Sequence, residues 1–190
     1  MRIIAGRHRG TKLAQPAGAD TRPTGDRVRE SLFNILEGGR FGYVLAGATV
    51  IDAFAGTGAL GLEALSRGSH HTTFIERDRD ALAVLRANIT RLDRAADSRV
   101  IAGDALSIAS WRGLPASLMF ADAPYGSGHA LTAAVRLANI GALAADALVI
   151  LETEESEQPD PELAASGGLS PLDNRRYGRA MLHFLKIVGG

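Results

Sequence analysis

Residues 50–61 have the sequence Val50-Ile51-Asp52-Ala53-Phe54-Ala55-Gly56-Thr57-Gly58-Ala59-Leu60-Gly61. An apolar run of β-forming residues leads into a glycine-rich turn, and a helical pattern rich in Ala and Leu begins directly after it. The three glycines have the spacing G-x-G-x-x-G, which is typical of a nucleotide-binding turn between a strand and a helix. This segment therefore predicts the opening strand, turn and helix of an α/β protein.

A similar alternation of strand-like and helix-like patterns continues along the chain. Strands are predicted at residues 49–54, 72–75, 99–102, 118–121, 148–151 and 181–187, and helices at 26–36, 59–67, 80–92 and 131–140. Such alternation predicts a mostly parallel sheet with helices on both faces. Pro and Gly interrupt the segment between the last two strand runs, so an antiparallel strand pair is expected at the end of the sheet.

Composition excludes several classes of protein. The chain has 190 residues, 46% of them hydrophobic, and no cysteine. This length suits one globular domain. The lack of cysteine excludes disulfides, thiolate nucleophiles and Cys-ligated metals, and it fits a reducing, cytoplasmic location. The histidines lack the spacing of metal ligands, and no apolar run approaches the ~20 residues of a membrane span, so neither a metal nor a membrane partner is expected.

The net charge of zero conceals two regions of opposite charge. Residues 1–40 hold eight basic and four acidic side chains, whereas residues 146–163 hold seven acidic side chains and no basic one. Two short β-forming runs on either side of residues 6–10 predict a small hairpin near the N-terminus, which the predicted helix at 26–36 follows. We therefore expect an N-terminal extension over residues 1–40 and a catalytic domain over residues 41–190.

Four acidic residues follow four successive predicted strands: Asp52, Glu76, Asp104 and Asp122. The carboxyl ends of parallel strands share one edge of the sheet, and such sheets bind their ligands there. Glu76 has the position of the ribose-binding acid in the nucleotide fingerprint. Each acid alone could be a cap, a turn residue or a member of a surface ion pair. Together they predict a pocket for a nucleoside that carries positive charge.

The position of Asp52 directly before the glycine turn distinguishes two cofactors. A carboxylate there would repel the pyrophosphate of NAD, but it would attract the ammonium and sulfonium groups of S-adenosylmethionine. The length of the chain also leaves little room for the substrate domain of many dehydrogenases. S-adenosylmethionine, with S-adenosylhomocysteine as product, is therefore the expected cofactor, and an NAD-dependent oxidoreductase is the distant alternative.

Residues Asp122-Ala123-Pro124-Tyr125 predict a site that handles a base. A carboxylate can accept a hydrogen bond from an exocyclic amine, and an aromatic ring offers a stacking face. The tetrapeptide resembles the (Asp/Asn)-Pro-Pro-(Tyr/Phe) motif of methyltransferases that act on amino groups. Ala123 stands where that motif has its first proline, so the turn lacks one fixed φ angle. Without its acidic neighbours, Tyr125 would instead be interpreted as a core aromatic.

The N-terminal blocks Arg2-Ile3-Ile4-Ala5-Gly6-Arg7-His8-Arg9-Gly10 and Thr21-Arg22-Pro23-Thr24-Gly25-Asp26-Arg27-Val28-Arg29-Glu30-Ser31-Leu32-Phe33-Asn34-Ile35-Leu36 narrow the resemblance. They resemble bacterial 16S rRNA guanine-N2 methyltransferases of the RsmD type. The resemblance implies a Rossmann-like, class I methyltransferase sheet of seven strands, mostly parallel with one antiparallel strand. It also implies an RNA-contacting extension, methyl transfer to a guanine N2 (guanine 966 in that family) and a monomer acting on 16S rRNA in a small ribosomal subunit.

The resemblance assigns roles to individual residues. Asp52 and the backbone of the glycine turn would hold the methionine part, Glu76 the ribose, and Asp104 with the Ala105 amide the adenine. Asp122 and the Ala123 carbonyl would accept from the guanine amine, with Tyr125 stacked on the flipped base. The expected cofactor-binding residues are Asp52, Ala55, Gly56, Thr57, Gly58, Glu76, Arg77, Asp104, Ala105 and Asp122, and the expected catalytic residues are Asp122, Ala123, Pro124 and Tyr125.

Basic residues of the extension are the expected RNA contacts, chiefly to phosphates. They are Arg2, Arg7, Arg9, Lys12, Arg22, Arg27 and Arg29. A solvated basic face is the alternative for this set, and Arg27 could instead face the carboxylate of the cofactor. For the whole chain, an adenine-N6 methyltransferase on RNA or DNA and a protein-glutamine methyltransferase are the alternative activities. The lack of cysteine favours a nitrogen acceptor over carbon five of a pyrimidine.

Overall fold

The computed structural model describes residues 1–16, 23–42 and 44–188. Within these residues, helices and strands alternate through most of the chain. The helices are α1 (Pro23–Glu37), α2 (Ala59–Ser66), α3 (Arg79–Arg91), α4 (His129–Asn139) and α5 (Pro161–Ser166). The strands are β1 (Thr49–Ala53), β2 (His71–Glu76), β3 (Ser98–Ala102), β4 (Ala116–Asp122), β5 (Leu143–Glu154), β6 (Leu169–Tyr177) and β7 (Ala180–Ile187). Among these helices, none is long and apolar enough to cross a bilayer.

The strands form one seven-stranded sheet in the order β3-β2-β1-β4-β5-β7-β6. The pairs among β1 to β5 are parallel, and β7 is antiparallel to both of its neighbours, β5 and β6. The predicted mostly parallel sheet with one antiparallel strand is confirmed. Because the strand order reverses between β1 and β4, a crevice opens at the carboxyl ends of these two strands, where sheets of this type bind ligands.

Side chains that alternate along the central strands build one hydrophobic layer on each face of the sheet. On one face, Met119 of β4 packs in the same cluster as Leu137 of α4. On the other face, Phe120 packs with α1, and its ring centroid lies 5.7 Å from that of Phe33. Helix α1 is therefore part of the core that supports the sheet.

The N-terminal hairpin packs against α2. Its two arms meet at an antiparallel bridge between Arg2 and Lys12. The fully buried carboxylate of Glu63 on α2 accepts hydrogen bonds from the backbone N–H groups of Ile4, at 2.8 Å, and Ala5, at 3.0 Å. The hairpin is thus joined to α2 through buried polar contacts.

Two elements have no counterpart among the predicted ones, namely α5 and β6. Helix α5 has only six residues, too few for a helical period to be visible. Strand β6 is an edge strand that carries Pro171 and the charged residues Asp173, Arg175 and Arg176, so it lacks an apolar run. Strand β5 is also longer than predicted, because Asp146, at φ 66°, interrupts its apolar pattern.

Candidate active site

Two glycines of the turn after β1 have different surroundings: Gly56 faces open space, whereas Gly58 packs closely against α3. Gly56 has a φ of 54°, and a Cβ at this position would have no neighbour within 4 Å. Gly58 has a φ of 82°, and a Cβ there would lie 2.4 Å from Cδ1 of Leu85 on α3. The first glycine therefore leaves room for a ligand, whereas the second allows the turn to pack against the neighbouring helix.

Asp52 holds this turn from beneath. It is buried at 2% exposure, and its Oδ2 accepts a hydrogen bond of 2.8 Å from the N–H of Gly61 on α2. Burial raises the pKa of the Asp52 carboxyl to about 7, against the lowering effect of that hydrogen bond. The structure thus gives Asp52 a contact that positions the start of α2, and its side chain does not line the cavity described below.

Glu76, at the end of β2, joins the glycine turn to the neighbouring strand. Its Oε2 accepts from the N–H of Gly56 at 2.7 Å, and its Oε1 accepts from the N–H groups of Arg77 and Asp78, each at 2.8 Å. Three backbone donors therefore fix the carboxylate at the edge of the crevice, next to the turn, where the nucleotide fingerprint places the ribose.

Asp104 follows β3 and faces the same crevice. Its Oδ1 accepts from the N–H of Leu106 at 3.0 Å, and its Oδ2 forms an ion pair of 3.0 Å with Arg77. The Leu106 hydrogen bond, followed by the Arg77 contacts, lowers the pKa of the Asp104 carboxyl. Asp104 is therefore ionised at neutral pH, with Arg77 beside it.

A cavity of about 1140 Å³ runs along these strand ends. Such a volume is slightly above the roughly 300–1,000 Å³ usual for a small-molecule site, so it has room for a nucleoside and a second planar group. Of the residues predicted for the site, the cavity is lined by Glu76, Arg77, Asp104, Ala105, Asp122, Ala123, Pro124 and Tyr125. Ala55, Gly56, Thr57 and Gly58, like Asp52, are not among its lining residues.

The turn Asp122–Tyr125 after β4 lies at the other end of the cavity and is called the transfer turn below. Asp122 is paired in register with Glu152 of β5. The Tyr125 hydroxyl donates a hydrogen bond of 2.9 Å to Oε1 of Glu152. Burial raises the pKa of the Glu152 carboxyl against the opposing effect of that hydrogen bond. Two carboxylates and an aromatic ring therefore meet at one point of the sheet edge.

Several cavity residues lie outside the set predicted from the sequence. They come from α1, α4, β5 and the β6–β7 turn, and include Gly25, Val28, His129, Glu152, Glu154 and Arg179. The two acidic residues among them, Glu152 and Glu154, belong to the stretch 146–163, in which the sequence shows an excess of negative charge but no motif. The register of β5 against β4, which brings Glu152 beside Asp122, could not be obtained from that local signal.

The predicted RNA contacts divide into three groups. Arg2, Arg7, Arg9, Lys12 and Arg27 are exposed to varying degrees on the surface. Arg22 lies outside the described residues. Arg29 is a correction to the prediction: it is 5% exposed, and its guanidinium donates to the carbonyl of Arg2 at 2.7 Å and to Asp26 at 3.1 Å. Burial lowers the pKa of Arg29, and its contacts join α1 to the hairpin, so it is inaccessible to a phosphate.

The strand order, the reversed β7, the glycine turn after β1 and the acids at the strand ends define a class I methyltransferase fold. Within the described residues, no group of His, Asp and Glu is arranged to hold a metal ion.

The chain belongs to the family described as conserved hypothetical protein 95, whose family model matches residues 1–186. Ribosomal RNA small subunit methyltransferase D of Escherichia coli (strain K12) is 42% identical over 154 residues, which are 81% of this chain and 75% of the relative. The resemblance to RsmD-type enzymes is thereby confirmed.

Two solved structures extend the comparison. The structure of yhhF from Escherichia coli has a TM-score of 0.82 and 35% identity, and the match covers 100% of this chain and 99% of that one. SMU.776, solved in complex with S-adenosylhomocysteine, shares the fold with a TM-score of 0.65 at 18% identity, over 88% of this chain and 50% of that one.

Proposed function

We propose that this protein transfers a methyl group from S-adenosylmethionine to the exocyclic N2 of a guanine in the RNA of the small ribosomal subunit. The observation that carries the proposal is the position of the transfer turn, in one cavity with Glu76 and Asp104, in a chain 42% identical to a small-subunit rRNA methyltransferase. The neighbour SMU.776, which shares the fold, binds S-adenosylhomocysteine. These facts support a nucleoside-type cofactor at one end of the cavity and an amine acceptor at the other.

The residues at the glycine-turn end suit S-adenosylmethionine. Glu76 is held by three backbone donors at the place expected for ribose, and Gly56 leaves open space beside it. Asp104 and the Ala105 backbone would contact the adenine. The bound cofactor would supply a methyl group activated by its sulfonium. The protein's own part would be to fix the ligand in line with the acceptor amine.

The transfer turn would orient the acceptor. The N2 amine of guanine is a poor nucleophile, because its lone pair is delocalised into the ring. Hydrogen bonds accepted by Asp122 and the Ala123 carbonyl would direct that lone pair and stabilise the positive charge that develops on nitrogen. Tyr125 would stack on the base, which must leave the RNA helix to reach this depth. Asp122 or water would then take the released proton.

The exposed basic residues of the N-terminal extension would contact RNA phosphates. Arg2, Arg7, Arg9, Lys12 and Arg27 all have the exposure that such contacts need. The N-terminal hairpin and the exposed Arg27 of α1 would thus hold the RNA. Helix α1 itself packs in the core, and its Gly25 and Val28 line the cavity in which the transfer would take place, so the predicted boundary after residue 40 does not separate the two roles. We propose that a single copy acts on the rRNA in a small ribosomal subunit, in the cytoplasm.

The deciding experiment compares wild type with Asp122→Ala. Small subunits or 16S rRNA that lack the modification are incubated with S-adenosylmethionine, and the nucleosides are identified by mass spectrometry. Wild type should produce N2-methylguanosine, whereas Asp122→Ala should bind S-adenosylhomocysteine in calorimetry and yet lose methyl transfer by on the order of 100-fold or more. N6-methyladenosine would instead support the adenine alternative. Near-wild-type turnover by Asp122→Ala would remove that residue from the mechanism.

A further inference from the structure

The segment that follows the transfer turn contains two glycines in the left-handed region. Ala123 occupies the place of a proline in the resembled motif, and Gly126 and Gly128 follow with φ values of 72° and 66°. A Cβ at either glycine would meet no atom within 4 Å, so close packing does not account for a glycine at these positions. Two glycines, and an alanine in place of a proline, increase the conformational entropy that this segment loses when it becomes ordered. Within the segment, the Ser127 hydroxyl donates to the Pro124 carbonyl and accepts from the N–H of His129 at 3.3 Å, and the rest of its order depends on contacts from outside.

The contact to both glycines is made by Glu157, in the segment between β5 and α5. Its Oε2 accepts from the N–H of Gly126 and its Oε1 from the N–H of Gly128, each at 2.8 Å. Gly128 is the N-cap of α4 and has no side chain to cap the helix, so the carboxylate also lies at the positive end of the α4 dipole. Both hydrogen bonds are charge-assisted, which makes them stronger than bonds between neutral groups.

Glu157 is itself held by the sheet. The hydroxyl of Thr153 on β5 lies 3.0 Å from the Glu157 carbonyl, and the same hydroxyl lies 3.1 Å from Nε2 of the buried His183 on β7. The N–H of Glu157 donates to the carbonyl of Glu154 at 2.9 Å. A continuous set of polar contacts therefore runs from β7 through β5 to the glycines behind the transfer turn.

We propose that Glu157 is a positioning residue for methyl transfer, which fixes the transfer turn through Gly126 and Gly128 and supplies the rigidity that Ala123 does not. The proposal rests on the proposed function, since it concerns the rate of the same reaction. Glu157 is not among the residues that line the cavity, so its effect on the reaction passes through the turn. The proposal therefore predicts that removing the Glu157 carboxylate lowers turnover without lowering the affinity for the cofactor.

The test uses Glu157→Gln, which keeps one acceptor oxygen but places an amide N–H₂ against the second backbone donor. Glu155→Gln is the matched control, because the Glu155 carboxylate pairs with Arg176 on the surface. In the full chain without ligand, amide hydrogen exchange over residues 122–129 should rise about tenfold in Glu157→Gln and stay unchanged in Glu155→Gln. Unchanged exchange in Glu157→Gln would overturn the proposal before any activity is measured.

The kinetic test adds Ala123→Pro. Glu157→Gln should lower kcat on the order of tenfold while the affinity for S-adenosylhomocysteine remains the same. In the Ala123→Pro background the same substitution should cost less than about threefold, because the proline restores the missing constraint. Equal reductions of kcat in the two backgrounds would assign Glu157 a merely structural role and overturn the proposal. An inactive wild type would instead refute the proposed function, and the exchange result would still decide whether Glu157 holds the turn.

Discussion

The buried carboxyl of Asp52 makes the stability of the fold depend on pH in a way that can be measured. Its pKa rises from 3.8 to about 7 on folding, chiefly because burial penalises the charge. Asp52→Asn removes the ionisation but keeps an oxygen that can accept from the Gly61 N–H. The variant therefore resembles the protonated side chain at every pH.

The sign of the effect follows from proton counting. Between about pH 4 and pH 7 the folded state retains a proton on Asp52 that the unfolded state has lost, so the free energy of unfolding falls as pH rises through this window. The shift corresponds to about 4 kcal/mol at roughly 1.36 kcal/mol for each unit of pKa. Asp52→Asn and wild type should be close in stability near pH 4, and the variant should be more stable by up to about 4 kcal/mol near pH 8.

The measurement is urea unfolding of both proteins between pH 4 and pH 8. The informative quantity is the difference between their free energies of unfolding, because other titrating groups contribute equally to both. Asp80→Asn, which removes an exposed carboxylate from the first turn of α3, should follow the wild-type slope. Parallel curves for wild type and Asp52→Asn would refute the conclusion that Asp52 is buried with a raised pKa.

Two further predictions concern packing and RNA binding. Gly61→Ala places a Cβ 2.4 Å from Cε1 of Phe74 and should lower the free energy of unfolding in urea by roughly 1–3 kcal/mol. Gly25→Ala is the control, because its Cβ would have no atom within 4 Å and the substitution should cost little stability. Equal costs for the two variants would contradict the close packing of α2 on β2. Replacing Arg7 and Arg9 together by Ala should make RNA binding less dependent on salt. The slope of the logarithm of the binding constant against the logarithm of the salt concentration should fall in magnitude by about 0.7–0.9 for each phosphate that these arginines neutralise. An unchanged slope would show that the hairpin is not an RNA surface.

Local sequence patterns predict the first half of the candidate site. The glycine turn follows β1, and the acids Asp52, Glu76, Asp104 and Asp122 lie within two residues of the carboxyl end of a strand, so a pattern of a few residues locates them at one edge of the sheet. Of these four acids, Asp52 alone does not line the cavity. The second half depends on long-range pairing. Glu152 faces the transfer turn because β5 pairs with β4 in one register, and a shift by one residue would turn its side chain to the opposite face.

Charge counting also gives an incomplete description of a surface. Arg29 belongs to the basic N-terminal segment by sequence, yet its guanidinium lies between α1 and the hairpin and bonds to the Arg2 carbonyl. Glu63 is similarly one charge of a helix by sequence, although it is fully buried and binds two backbone N–H groups of the hairpin. Burial, which composition does not reveal, decides whether a charged residue holds the fold together or meets a partner.

The separation of charge in the fold bears on how an RNA would enter the site. Asp122, Glu152 and Glu154 line the transfer end of the cavity, where Arg179 pairs with Glu154 at 2.6 Å, so a phosphodiester brought there would meet more negative than positive charge. A base that has left the RNA helix presents only its ring and its amine. The amine can donate a hydrogen bond to a carboxylate. The exposed Arg7 and Arg9 lie on the hairpin, which is not among the elements that line the cavity. Under the proposed function, this arrangement would favour an extruded base over the RNA backbone at Asp122, Glu152 and Glu154, while the phosphates would stay with the basic residues outside the cavity.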